Sequence, residues 1–272
     1  MKYTGNAGFS HKQADKIGVV ITNLGTPQAP TKGALKTYLK EFLSDPRVVE
    51  VPRLIWWFIL NGIILNFRPK RSAEAYASVW SEQGSPLMVH TKAQAEALAK
   101  RCEQEFGDDV IVDFAMRYGE PAVNKVIERM LSNGVRKLLV VPLYPQYSAS
   151  TVGSTFDAIA ADFQQRRWLP DLRFVSHYHD RPGYIKAVAE TIRQHWEING
   201  QAEKLILSYH GVPRRYLDNG DPYHCECLKT SRLIAEELGL ENSQYMTTFQ
   251  SRFGREEWLK PYTDETLKAL PA

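Results

Sequence analysis

The sequence is poor in cysteine, holds no block of one charge sign and contains no long apolar run, and each shortage closes off a class of protein. Three cysteines among 272 residues are an odd number and too few to staple a chain of this size. A disulfide scaffold is therefore excluded and a reducing, cytoplasmic setting expected. The net charge is +3 with both signs interleaved, so nothing marks an electrostatic nucleic-acid binder. With 17 Gly and 15 Pro, the chain is neither low-complexity nor fibrous. Residues 1 to 15 carry no secretory signal and are expected to form a flexible tail. The longest apolar stretch, Leu54 to Leu65, falls short of the roughly 20 residues that cross a bilayer. Its tryptophan pair, Trp56 and Trp57, between Arg53 and Arg68 gives it the flanks of a helix lying on a membrane surface. A buried core helix is the alternative. Nucleotide and common hydrolase chemistry lose their usual support, since G-x-G-x-x-G, G-x-x-x-x-G-K-[ST], H-E-x-x-H and G-x-S-x-G are all missing.

What is present is an alternation of apolar runs and helical periods, the mark of an α/β fold with mostly parallel sheets. Strands are expected at Ile17 to Leu24, Val110 to Tyr118, Lys137 to Leu143, Arg173 to Tyr178, Lys204 to Tyr209 and Gln244 to Thr248. Most lack alternation, as strands covered on both faces do. Helical periods run over Thr91 to Phe106, Pro121 to Asn133, Pro182 to Ile198 and Ser231 to Leu238. KLLVVPLYPQYS at 137 to 148 and KLILSYHGVPRRY at 204 to 216 both pass from a Lys-led apolar strand into a loop with Pro and Tyr, which suggests two related halves. The expected division is a domain over 16 to 165 and another over 166 to 272, with the break where a helix gives way to QQRRWLPD.

In open α/β sheets, ligands sit at the carboxyl ends of strands. Four loops fall there: Asn23 to Pro27, Met116 to Gly119, Pro142 to Ser148 and Ser208 to Pro213. His210 ends an apolar strand before a glycine, where an imidazole is placed to accept a proton or bind a borderline metal, or to serve as a core residue bonded to backbone. Arg117 and Tyr118 suit a carboxylate or a flat ring, and structural ion pairing equally. In His224-Cys225-Glu226-Cys227 the C-x-C spacing is not that of a zinc knuckle and no second cysteine pair completes it, so the motif reads as the exposed first turn of a helix after Asp221-Pro222.

A set of longer motifs spans nearly the whole chain: NLGTPQAPT at 23 to 31, YLKEFLSDPRVV at 38 to 49, GSPLMVHT at 84 to 91, MRYGEP at 116 to 121, PLYPQYSASTVGST at 142 to 155, SYHGVP at 208 to 213, GDPYHCEC at 220 to 227 and TFQSRFGREEWLKPYTDETL at 248 to 267. Together they resemble the ferrochelatases, in the Gram-negative version that uses protoporphyrin. The resemblance implies two Rossmann-like domains with parallel four-stranded sheets flanked by helices, the second incomplete at its C-terminus, and a porphyrin cleft between them. It implies insertion of Fe(II) into protoporphyrin IX to form protohaem, with Fe(II) and the porphyrin as substrates and no permanently bound cofactor. His210 matches the family's catalytic and metal-contacting histidine. Leu24, Arg117 and Tyr118 match positions lining the opposite side of the macrocycle, while Arg68, Tyr76 and Ser85 match positions touching the porphyrin or its propionates.

The chain ends at Ala272, before the family's further strand, its acidic motif and its C-terminal helix, so it is expected to lack the glutamate that faces the histidine. Glu256 and Glu257 belong to the GREEW stretch and are no substitute. The family's iron–sulfur cysteines lie in that same region, and no cluster is expected. The remaining expectations are a monomer, no nucleic-acid partner, and a cytoplasmic protein peripheral to the inner membrane through Leu54 to Leu65. The alternatives are a porphyrin binder that no longer metallates and a cobalt chelatase of related fold.

Overall fold

The structure, a computed structural model, describes residues 3–5, 10, 12 and 14–270. Strand β1 (Lys16–Gly25) opens the fold around the apolar run Ile17–Ile21, and its middle is buried because parallel partners flank it on both sides. Helices α1 (Lys32–Ser44), α2 (Arg53–Ile59), α3 (Leu65–Val79) and α4 (Pro86–Phe106) follow, then β2 (Val110–Tyr118), α5 (Val123–Ser132), β3 (Val135–Pro142), α6 (Ser154–Phe163) and β4 (Asp171–Phe174). The four strands form one parallel sheet in the order β2-β1-β3-β4. Helix α5 shows why it packs where it does: Val123, Val126, Ile127 and Met130 recur at helical spacing and are all buried against the sheet core of Val20, Ala115, Leu138 and Val140.

The second sheet is smaller. Helix α7 (Pro182–Asn199), strand β5 (Leu205–His210), α8 (Arg214–Asp218), α9 (Tyr223–Leu238), β6 (Tyr245–Gln250) and α10 (Thr263–Ala269) complete the described chain. Strands β5 and β6 pair in parallel, Leu205 opposite Tyr245 through His210 opposite Gln250, and they are the whole of this sheet among the described residues. The first sheet thus has the four strands expected of each domain, and the second has two.

Contacts divide the chain into two units. One runs to Tyr144 and resumes at Ala149–Ser176; the other joins Pro145–Ser148 to the chain from His177 onward. The helix break near Gln164 is not the seam, because β4 follows it and still pairs with β3, Lys137 opposite Asp171. Strand β4 ends at Phe174 rather than Tyr178, since Tyr178 N turns to the carbonyl of Pro145 in the second unit. Most of the tail expected over 1 to 15 lies outside the described residues. Thr4, within it, exchanges backbone hydrogen bonds with Gln165 and Arg167 and is held there.

Two helices begin earlier than their apolar periods suggest. Helix α4 starts at Pro86, a residue suited to a first turn whose N–H groups have no partner. Helix α9 starts at Tyr223, and its inward face begins with Glu226, Cys227, Thr230 and Ser231. Such a face packs through polar bonds and so leaves no apolar signature.

The stretch Leu54 to Leu65 is helical but interrupted. Between α2 and α3, residues Leu60–Ile64 form a π turn. Its loosened carbonyls are met by side-chain amides, Asn61 Nδ2 to Trp57 O at 2.9 Å and Asn66 Nδ2 to the carbonyls of Asn61 and Gly62 at 3.0 and 2.9 Å. Leu60 and Leu65 are buried on Tyr38, Leu39 and Leu43, whereas Leu54, Ile55, Trp57, Phe58, Ile63 and Phe67 are exposed. The core reading of this stretch therefore holds for its inner face alone. Among the described residues, no helix is long and apolar enough to cross a membrane.

Candidate active site

The parallel register gathers three of the four loops. Gly25 at the end of β1 lies opposite Tyr118 at the end of β2, and Leu143 N donates to Thr22 O at 2.7 Å. Gly25 has φ 104°, and a Cβ there would lie 1.8 Å from the Tyr118 carbonyl oxygen, so only glycine lets the two strand ends meet. Tyr38 then seals the turn, its hydroxyl donating to Gly25 O at 3.1 Å.

Behind this edge, four side chains form a buried polar knot. Asp45 Oδ2 accepts from Arg117 Nη2 at 2.6 Å, Tyr118 OH at 2.8 Å and Ser154 Oγ at 2.6 Å. Arg117 Nε also donates to Ser154 O at 2.9 Å, and its guanidinium lies over the Tyr118 ring at 4.4 Å. Burial alone would push the Asp45 carboxyl up. Hydrogen bonds from Ser154, Tyr118 and the Arg47 backbone, with the charge of Arg117, outweigh it and hold the group below its ordinary value. Burial pushes the Tyr118 phenol up. Arg117 is thus held in a buried ion pair with Asp45, and Tyr118, 1% exposed, is hydrogen-bonded to the same carboxylate.

The other expected residues of this unit are placed differently. Leu24 packs on the cluster of Tyr38, Leu39 and Tyr118. Arg68, on α3, is exposed and has no ion-pair partner among the described residues. Tyr76, two turns on, is half-buried, hydrogen-bonded to Tyr38 and set edge-on to Trp80. Ser85 is buried as the N-cap of α4, its side chain making no capping bond.

His210 ends β5 in the second unit and is exposed. Its Nδ1 lies 2.7 Å from Gly211 O. A carbonyl only accepts, so Nδ1 carries the hydrogen and the lone pair of the neutral ring sits on Nε2. The backbone under it is fixed: its own carbonyl accepts from Tyr223 OH at 3.0 Å, and Gly211 N donates to Gln250 O at 2.7 Å. A Cβ on Gly211 would stand 2.9 Å from that same oxygen, which accounts for the glycine.

The C-x-C stretch begins α9 as expected, but it is not an exposed turn. Cys225 is exposed, while Glu226 and Cys227 are buried. Glu226 instead meets two histidines from another segment, with His177 Nδ1 2.6 Å from Oε1 and His179 Nδ1 3.4 Å from Oε2. The reading of single motifs missed this cluster. The H-x-H of Ser176 to Asp180, two imidazoles at the exit of a strand, was the available signal.

Closely packed strand ends in the first unit and an exposed imidazole at a strand's carboxyl end in the second are features of an α/β protein of the parallel-sheet class. A family model described as Ferrochelatase matches residues 16–272. The ferrochelatase of Idiomarina loihiensis is 69% identical over all of this chain and 74% of its own length, and that of Pseudoalteromonas atlantica is 66% identical over all of this chain and 75% of its own. Among solved structures, one titled for CbiX, the terminal enzyme of sirohaem biosynthesis in denitrifying bacteria, matches at TM-score 0.43 and 13% identity over 86% of this chain and 68% of that one, too slight a likeness to argue from. The chain belongs to the ferrochelatase family. It is a metal chelatase of haem synthesis, with Fe(II) and a porphyrin as its substrates.

Proposed function

We propose that His210 is the residue that performs the chemistry of porphyrin metallation in this chain, with protoporphyrin IX as the porphyrin. The observation that carries this reading is the free Nε2, held outward by the bond from Nδ1 to Gly211 O. Insertion of Fe(II) into a free-base porphyrin yields the metalloporphyrin and two protons, one from each pyrrole N–H. A neutral imidazole accepts such a proton, or holds the ion for transfer, through the nitrogen that its backbone bond leaves free. Arg68 suits a propionate, being an exposed guanidinium with no carboxylate partner among the described residues. Tyr76 and Ser85 stand beside it in sequence as porphyrin contacts. Leu24, Arg117 and Tyr118 serve the opposite side of the macrocycle, the last two by fixing the strand edge from beneath. Neither alternative, a binder without metallation or a cobalt chelatase, gains support from the relatives at 66–69% identity, which carry the ferrochelatase name.

The exposed apolar side chains of Leu54 to Phe67, with Arg53, Arg68, Lys70 and Arg71 about them, support a peripheral contact with an anionic membrane surface from the cytoplasmic side. Delivery of an apolar macrocycle from such a surface avoids its transfer through water. The chain's three cysteines are fewer than the four thiolates that commonly hold an iron–sulfur cluster, so none is proposed for it.

The deciding experiment supplies Fe(II), Zn(II) or Co(II) with protoporphyrin under anaerobic conditions and follows loss of the free-base fluorescence. Loss with Fe(II) in the parent and not in His210→Ala is the expected result. Equal rates in both proteins would remove His210 from the reaction.

A further inference from the structure

The cluster of His177, His179 and Glu226 shares no residue with those assigned to metallation, and its chemistry is unbalanced as it stands. Its three ligand atoms lie within 4.8 Å of one another. His179 is 7% exposed at the side chain and Glu226 8%, and the buried His179 Nδ1 has no hydrogen-bond partner among the described residues. It points at Glu226 Oε2 from 3.4 Å. In the neutral ring that carries its hydrogen on Nε2, this arrangement sets a lone pair against a carboxylate oxygen. Something positive belongs between them.

Its surroundings are arranged to hold the ligands still. Glu226 Oε2 accepts from Tyr147 N at 2.6 Å. Thr230, one turn further along α9, donates to His179 O at 3.0 Å and accepts from Gln146 Nε2 at 2.9 Å. Asp180 Oδ2 stands 4.0 Å from His179 Nε2 and is itself held by Lys229 at 2.6 Å. Carboxylates and carbonyls in such places orient metal-binding imidazoles. His177 is 52% exposed at the side chain, which opens one side to solvent and to a water ligand.

We propose that His177, His179 and Glu226 form a binding site for a borderline divalent transition ion of the zinc or ferrous class, separate from His210. Two imidazoles and one carboxylate, with a water completing the set, are a donor combination these ions favour. With bonds of about 2.0–2.1 Å, neighbouring ligand atoms of a tetrahedral site stand about 3.3 Å apart. The His179 to Glu226 spacing meets that already, and the half-exposed His177 is free to open from its 2.6 Å contact. A bound ion would tie three segments of the second unit together: the strap at Pro145–Ser148, the His177 to Asp180 exit and the first turn of α9. That turn also carries Tyr223, whose hydroxyl supports the His210 carbonyl, so occupancy would stiffen the platform under the catalytic imidazole.

The test uses the full chain in a His210→Ala background, so that an ion at the metallation site does not contribute. After chelator treatment, Co(II) is titrated while the visible ligand-field absorption is followed, and the melting temperature is measured with and without Zn(II). We expect one equivalent of Co(II) with the intense bands of low coordination, and a melting temperature raised by Zn(II). Glu226→Gln should lose at least about 100-fold in Co(II) affinity and His177→Ala about 10- to 100-fold, both losing the Zn(II) effect on melting. His177→Ala alters a half-exposed side chain, so the test survives if Glu226→Gln fails to fold. Parent-like Co(II) binding in a folded variant would overturn the site. So would the absence of ligand-field bands in the parent, since the cluster would then hold only a proton.

Discussion

The two sheets end their strands in opposite ways. At the carboxyl edge of the first, the buried ion pair is fully engaged: Asp45 collects Arg117, Tyr118 and Ser154, and Gly25 is pressed against the next strand. At the edge of β5 the imidazole of His210 is exposed and keeps one nitrogen free, anchored only by its neighbour's carbonyl. Burial differs in the same sense, since β1 holds a continuous buried run and β5 has no buried residue. The contrast teaches a division of labour. Satisfied, buried polar groups give a fixed wall, and a reacting group has to remain unsatisfied.

Four variants probe that contrast, beginning with the largest effect. His210→Ala should lower the rate of Fe(II) insertion by about 100-fold to 10,000-fold, the usual worth of a positioned acid or base, yet leave porphyrin quenching and melting temperature near the parent's. A large fall in melting temperature would make His210 part of the wall instead. Asp45→Asn should do the reverse, costing about 3–5 kcal/mol in denaturant unfolding because Arg117 is left without its charge partner. Since folding depresses the Asp45 pKa, its stabilisation is complete above the unfolded value of about 3.9 and is lost as pH falls through the folded one. The gap between parent and Asp45→Asn should accordingly be full at neutral pH and close under acid; a gap that widens in acid would contradict the ionised assignment.

Arg68→Ala should weaken dicarboxylate porphyrins by about 1.5–3 kcal/mol, the range of hydrogen bonds to charged groups, and leave esterified ones alone. Equal losses for the two would dissociate Arg68 from propionates. The smallest effect on stability belongs to Trp57→Ser with Ile63→Ser. Both side chains are exposed, so unfolding should shift by less than about 0.5 kcal/mol each while binding to anionic liposomes falls. Unchanged liposome binding with a marked fall in melting temperature would return the segment to the core.

How much of this was legible follows from the range of the interactions. The six strands and the α5 period rest on neighbours in sequence, and they were found within a few residues. The fate of Arg117 was not, because its partner Asp45 lies 72 residues earlier and Ser154 lies 37 later. Glu226 sits in a motif that drew attention for its cysteines, and its real companions lie 47 and 49 residues upstream. The start of α9 after Pro222 was legible, whereas the burial of Glu226 and Cys227 in its first turn stayed hidden because that inward face is polar. The exposed lip was readable as a composition, though which of its residues face inward depends on the π turn.

That π turn makes helix length a tolerated variable. A widened turn is the scar that an inserted residue leaves in an α-helix, and it absorbs the rotation of about 100° that the extra residue would otherwise impose on the helix beyond it. Deleting one codon between Leu60 and Ile64 would close the widened turn into a regular one and leave Arg68 and Tyr76 on the face of α3 they now occupy. The same deletion further along α3, where no wide turn takes it up, would swing Tyr76 to a different quarter of the helix.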